Sequence, residues 1–353
     1  MSDSRVADRA PGRPKPARDP LKGSTDVPVG QGAVISLRSQ ARWRWWEFAL
    51  AVAAAASWFL LPAHTPLLTE IAILALFAIS LDLVLGYAGI VSLGHTAFFG
   101  VGAYGAALFA THVMPDPLVG LVVAIAVSSV AGALSSVLIM RGSDLTRLMV
   151  TLGLALVLFE LANKLDHITG GADGLQGAQM APLLGSFEFD LQGRVAYAYC
   201  LVVLAVGVYF ARRVVKSPFG VSLQALRDNR LRAASIGLAV NARLAAVYTV
   251  AAGLAGAAGA LSAQKTGFAF ASLDVLAFHQ SADVMLMLVI GGTGYLYGGI
   301  FGAIIFKLLQ DLISAWTPQY WTFWIGLFLI VLMLVGRERL IRPWTWWRGG
   351  STR

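Results

Sequence analysis

Residues 86–108 read GYAGIVSLGHTAFFGVGAYGAAL, and this stretch decides the fold. It carries no acid and no Lys or Arg, which suits a membrane segment, yet it is crowded with glycine and holds one histidine, His95. Glycine makes a poorly specified helix in water, because its backbone loses the most freedom on ordering. In a bilayer the same residue lets a neighbouring backbone approach closely, or lets a helix break where other groups re-satisfy its hydrogen bonds. The segment therefore reads as a membrane span built for close packing or for a break.

The rest of the chain agrees. Hydrophobic residues make up 57% and charged residues 13% of the 353, roughly half the charged share of an ordinary soluble domain. Apolar runs fall at about 47–63, 67–86, 88–112, 118–140, 146–163, 195–211, 243–264, 280–297, 299–315 and 322–336. Each approaches the ~20 residues that cross a bilayer as a helix. No period-2 alternation of barrel type occurs. The expected fold is an all-α polytopic integral membrane protein of about ten transmembrane helices. Its domain plan is a disordered basic tail at 1–46, a transmembrane domain at 47–340 and a second basic tail at 341–353.

Charge placement sets the orientation. The first 46 residues hold nine Lys/Arg, four Asp and five Pro without apolar periodicity, the composition of a disordered segment rather than a signal peptide. Segment 212–243 holds seven Lys/Arg and one acid, Asp228, and the chain from Arg337 holds five Arg and one acid. Loop 164–194 instead has four acids, Asp166, Asp173, Glu188 and Asp190, against Lys164 and Arg194. The positive-inside rule then puts both termini and a segment at 213–242 in the cytoplasm, and the 164–194 loop outside. The net charge of +8 is thereby explained as membrane orientation, and no nucleic-acid partner is needed. Trp316, Tyr320, Trp321 and Trp324 suit an outer aromatic belt, and Trp344, Trp346 and Trp347 an inner one.

A second glycine-rich segment, VIGGTGYLYGGIFGAIIF at 289–306, resembles the first. Two such segments at matching places in the two halves form a pseudo-repeat with room for broken helices, and they point to a transport pathway. The expected pathway residues are Ser92, Gly94, His95, Phe98 and Gly102 from the first, with Gly292 and Gly294 from the second. Tight packing alone is the competing reading. Most intramembrane charges, among them Glu70, Asp82, Glu160, Asp283 and Asp311, sit near span ends; Glu160–Lys164 and Lys307–Asp311 are spaced i, i+4 for local pairing. A satisfied structural histidine is the plainer reading of His95.

Several chemistries are excluded or unsupported. GVGAYG at 100–105 matches a dinucleotide fingerprint but lacks its strand–turn–helix setting. The five histidines show no metal spacing, no catalytic cluster assembles, and the single Cys200 allows no internal disulfide. No catalytic residue, metal or cofactor is expected. The chain has no Gly-Lys dipeptide and so no GxxxxGK[ST] phosphate loop; transport energised by ATP would need another subunit. The cytoplasmic stretch SPFGVSLQALRDNRLRAASIGLAV at 217–240 winds as one amphipathic helix, with Leu223, Leu226, Ala233, Ala234 and Gly237 on an arc with Arg227 and Arg230. Docking to a soluble partner and lying on anionic lipid fit it equally.

At these residues a family resemblance emerges. LVLGYAGIVSLGHTAFFGVGAYGAAL resembles the signature of branched-chain amino acid ABC transporter permeases of the LivM-like branch. ITGGADGLQG at 168–177 is similar to that branch's external TGG-x-DG-L element, with Gly170, Gly171, Asp173 and Gly174 as its residues. ALRDNRLRAASIGLAVNARLAAVYTVAAGLAGAAGAL resembles its coupling segment and following span, and SADVMLMLVIGGTGYLYGGIFGAIIF its late glycine-rich pair. The match covers roughly 67–336, in order. It implies a multi-pass permease subunit of an importer in the bacterial inner membrane. The partners it implies are a second homologous permease, two cytoplasmic ATP-binding subunits and an extracytoplasmic binding protein. Arg227, Asp228, Asn229, Ala233, Ala234 and Gly237 would meet the ATPase, with Arg232 where many relatives have glutamate. Related permeases carry branched-chain amino acids, and also urea and short amides. An ion-coupled secondary transporter using Asp82 or Asp283, and an embedded enzyme using His95, are the readings from other classes.

Overall fold

The computed structural model describes residues 45–335 except 61, 141, 184 and 191. Both expected tails therefore lie outside the described residues, apart from Trp45 and Trp46, which open the first helix.

Among the described residues, each of the ten apolar runs carries one apolar helix. These helices are α1 (Trp45–Leu60), α2 (Thr65–Asp82), α3 (Thr96–His112), α4 (Pro117–Ile139) and α5 (Asp144–Lys164), then, after a four-residue turn α6 (Asp166–Thr169), α7 (Arg194–Val215). Two short helices follow, α8 (Pro218–Asp228) and α9 (Arg230–Ser235). The last four are α10 (Val240–Gln264), α11 (Phe278–Gly291), α12 (Gly298–Trp316) and α13 (Trp321–Val335). Among the described residues six helical stretches are long and apolar enough to cross a membrane: Pro62–Tyr87, α4, α5, α7, α10 and α12.

Local chemistry sets the boundaries. Asp116 caps α4 by accepting from Leu118 and Val119 N–H, with Pro117 at the first helical position, where its missing donor costs nothing. Ser143 caps α5 and Ser217 caps α8 in the same manner, the latter again before a proline.

Two helices form the centre. About 78% of the α2 span and 72% of α10 is buried, against 22–33% for α4, α5, α7 and α12. A helix apolar on every side must be enclosed, and α2 shows that pattern from Ile71 to Leu81. The outer helices turn large apolar side chains outward, such as Val130 and Leu134 of α4 and Met149 and Val157 of α5. Water would expel such a surface, whereas lipid tails solvate it.

With no hydrophobic force between helices in lipid, packing must come from close approach. Gly256 of α10 seats on Ser128 of α4, Gly259 on Phe99 of α3, and Gly102 of α3 on the Gly256 backbone. Gly299 of α12 lies against Ala78 of α2, and Gly207 of α7 against Leu76.

The fold is not purely helical. Strand β1 (Leu175–Gln179) pairs antiparallel with β2 (Phe268–Ala271), in register Leu175–Ala271 and Gln176–Phe270, with an irregularity before Gln179–Phe268. The expected external loop is thus tied to the α10–α11 connection. The expected ion pairs also differ. Lys307 bonds Glu70 of α2 at 2.7 Å rather than Asp311, and among the described residues no ion pair joins Glu160 to Lys164.

Gly102→Val should lower the thermal midpoint of the purified protein, because the new methyls would enter the Gly256 backbone; overpacking of this kind costs about 1–3 kcal/mol. Gly153→Ala, with nothing near the added carbon, should hold or raise the midpoint by the ~0.5–1 kcal/mol of a helical Gly→Ala change. Unfolding monitored by circular dichroism in detergent separates the two.

Candidate functional site

Each glycine-rich segment is a break. α2 ends at Asp82, passes through a π-helical turn at Leu83–Tyr87, and the chain then runs without helix until α3 opens at Thr96. Gly89, at φ 68°, takes the left-handed conformation there. The second break lies between Gly291 and Gly298, with Gly292 at φ 96° and Gly294 at φ 79°. π-turns and broken helices expose backbone groups that must find partners elsewhere.

Here side chains supply them, at the point where the two breaks meet. Gly86 lies so close to Gly294 that a side chain on Gly86 would enter the Gly294 backbone. Asp82, fully buried one turn before Gly86, accepts the Gly294 N–H on Oδ1 at 2.8 Å. A carboxylate at this depth is expensive without such a donor. The two breaks are therefore joined by backbone contact and one charge-assisted bond.

The polar segment grips the same point. Arg227 Nη1 donates to Gly86 O, and a Cβ on Gly294 would come within 3.1 Å of that nitrogen. Arg230 donates to Gly89 O at 3.4 Å and to Asp144 Oδ1 at 2.8 Å; Arg147 donates to the same Asp144 oxygen, also at 2.8 Å. Both carbonyls belong to the first break, so the arginines fill positions that helical N–H groups left.

The segment itself corrects the single-helix expectation. Asn229, at φ −159° and ψ 103°, ends α8, and its side chain caps α9 by accepting from Arg232 N–H at 2.9 Å. The phase of the wheel resets there. Ala233 is buried with Leu223 and Leu226, whereas Ala234, Gly237 and Asp228 are exposed. Leu231 and Ile236, which the wheel did not single out, are 83% and 70% exposed.

The expected pathway residues are packed. His95 is fully buried: its Nε2 lies 3.1 Å from Ser80 Oγ, and its ring stacks on Phe77 and meets Phe98 edge-on. Phe98 is buried against Tyr248, Ser92 is buried, Gly94 abuts the Thr151 backbone, and Gly102 the Gly256 backbone. Gly292 and Gly294 form the second break. The structure thus gives these seven residues packing and hinge geometry in the conformation seen, with none of them on the polar cavity described next.

That cavity, about 270 Å³, lies between α2, α10, α11 and α12 at the end of the bundle where the β ribbon sits. Glu70 bridges Lys265 at 3.0 Å and Lys307 at 2.7 Å across its wall, with Asp283 facing the same space. Phe99, Met287 and Phe306 form an apolar part. Sequence reasoning missed this cluster because its members come from distant helices. The available signal was the opposite signs of Glu70 and Lys307 within two apolar runs.

The glycine turn at 170–174 serves this region. Gly170, Gly171 and Gly174 all have positive φ, at 76°, 52° and 74°, and Thr169 Oγ1 donates to the Ala162 and Leu165 carbonyls. The turn they make sets β1 on β2, and Phe270 of β2 lines the cavity. Asp173 is exposed on this turn.

A central pair of broken helices, close glycine packing and six helical stretches long and apolar enough to cross a membrane are, among the described residues, the features of a multi-pass membrane protein. The family model described as "Branched-chain amino acid transport system / permease component" matches residues 65–335, and the chain belongs to that family. Among curated proteins, it is 28% identical over 298 residues to the high-affinity branched-chain amino acid transport system permease protein LivM of Salmonella typhimurium, covering 76% of this chain and 68% of that one. The LivM of Escherichia coli K12 is 28% identical over 293 residues with the same coverages. No solved structure matches.

Asp82→Ala should lose the carboxylate bond to Gly294 and lower the stability of the purified protein by about 1.5–3 kcal/mol, the range for a hydrogen bond to a charged group. Asp82→Asn, which keeps the acceptor, should recover most of that loss in the same thermal-unfolding assay.

Proposed function

We propose that this chain is a permease subunit of an ATP-driven importer of branched-chain amino acids in a bacterial inner membrane, with both termini in the cytoplasm. It works beside a second, homologous permease. Two cytoplasmic ATP-binding subunits energise it, and an extracytoplasmic binding protein delivers the substrate. The relatives' names support the substrate class, and the acidic 164–194 loop opposite the basic 213–242 segment supports the orientation.

One observation carries the coupling: the arginines of the α8–α9 element hold the carbonyls of Gly86 and Gly89 directly. A force on this element reaches the break without passing through a long chain of side chains. Its outer surface suits a protein partner. Leu231 and Ile236 project from it, and a groove lined by Phe219, Ala225 and Leu238 lies beside them. Exposed apolar side chains rimmed by polar ones mark such docking surfaces. Alternating access then consists of sliding at the Gly86–Gly294 contact, where no side chains interlock.

Asp82 is a poor ion-coupling group for a secondary transporter, since its Oδ1 is committed to Gly294 and the side chain is sealed from solvent.

In vesicles holding all subunits, uptake of labelled leucine should stop on ATP depletion and survive a protonophore; the reverse pattern would defeat the proposal. Leu231→Asp with Ile236→Asp should abolish co-purification of the ATP-binding subunits while the permease still inserts, and unchanged co-purification would remove this face as the docking surface.

A further inference from the structure

We infer that the cavity between α2, α10, α11 and α12 is a transient binding site for a zwitterionic aliphatic amino acid, with Asp283 receiving the α-ammonium and the Lys265–Lys307 pair the α-carboxylate. This rests on the transport reading above and names where, in this chain, the solute is held.

The chemistry of the walls divides in two. One side is ionic. Glu70 Oε1 and Oε2 each take one lysine, at 3.0 and 2.7 Å, so a single carboxylate holds two ammonium groups side by side. An ammonium has three donors. Lys265 uses one on Glu70, and Lys307 uses two, on Glu70 and on Gln310 at 3.1 Å. Donors therefore remain on both for an incoming carboxylate. The bridge leaves one net positive charge.

Asp283 supplies the opposite sign. It is half-buried on α11 and lines the cavity; the charges around it are His279, Lys307 and Asp274, none of them close enough to form a direct hydrogen bond or ion pair with it among the described residues. The nearby Asp274 differs, since it is bonded to His279 at 3.3 Å and Gln280 at 3.5 Å near the mouth. An ionisable side chain kept half-buried in an apolar helix, with no direct bond to its neighbouring charges, marks a pathway or ligand contact by default. A cation would satisfy it, and the lysine pair would repel one unless an anionic group came with it. A zwitterion brings both.

The other side is apolar. Phe99, Met287 and Phe306 are nearly fully buried and face the same space. They offer a surface for a branched aliphatic chain and no donor or acceptor from their side chains. The volume, about 270 Å³, falls just below the ~300–1,000 Å³ of pockets for drug-sized ligands, which suits a solute as small as leucine. Urea has no charge for either ionic group and no apolar part, so this site disfavours it.

The test reads occupancy in the permease itself. The full chain, assembled with its partner subunits in nanodiscs, carries Ser262→Cys as a probe at the cavity wall, and Ser272→Cys serves as an independent second probe. The native Cys200 is buried and stays silent. Alkylation by a small methanethiosulfonate reagent is timed with L-leucine, 4-methylpentanoate, 3-methylbutylamine or urea present. Leucine should slow labelling at both probes, while the two singly charged analogues and urea should require at least about tenfold higher concentration, the cost of roughly one lost charge-assisted contact. Asp283→Asn and Lys307→Met should each shift leucine protection by a similar factor. Equal protection in these variants, equal protection by urea, or no protection by leucine in an assembly that still hydrolyses ATP for uptake, would overturn the site and leave the transport reading standing. Uptake independent of ATP would instead overturn the reading on which the site rests.

Discussion

The structure depends on a contact between two broken helices with no side chain between them. Gly86 and Gly294 bring their backbones together, and the broken ends expose polar groups where lipid offers no partner. Asp82 accepts the N–H of Gly294, and Arg227 donates to the carbonyl of Gly86. Charge is introduced at this depth because the breaks create the demand for it. Arg227 is also what ties the polar α8–α9 element to the core.

Glycine crowding follows from that requirement. A side chain at Gly86 would separate the two breaks, and at Gly102, Gly256 or Gly259 it would push α3 from α10. Interfaces of small residues interlock little, so two arrangements can differ by modest energies; interfaces of interdigitated Leu and Phe resist such shifts. The molecule uses both kinds. The faces of α3, α4 and α10 meet through glycine, alanine and serine, while the neighbourhood of His95 is locked by Phe77, Phe98 and Tyr248.

What the sequence disclosed reflects which forces are local. Apolar runs translate into helices because the bilayer leaves the backbone little other arrangement, and each of the ten runs carries a helix among the described residues, six helical stretches being long and apolar enough to cross. The glycine clusters at 86–105 and 291–302 marked both breaks. The Glu70–Lys265–Lys307 cluster was not legible, since Lys265 lies 195 residues beyond Glu70 and no spacing rule joins them. The β ribbon was missed for a similar reason: LQGAQ and FAFA are too short to read as strands until each supplies the other's partner. At Asn229 the signal was present, because asparagine is a preferred helix cap, but a continuous wheel drawn through 217–237 overrode it. His95, whose plainer reading is a structural histidine, is buried against Ser80, Phe77 and Phe98.

The central claim is that the α8–α9 element and the two glycine breaks move as one unit. Amide hydrogen exchange across residues 86–95, 217–237 and 292–297 of the assembled transporter, with and without a trapped ATP analogue, tests it most directly. Trapping should change protection in all three segments together. A change confined to 217–237, with both breaks unaltered, would contradict the account.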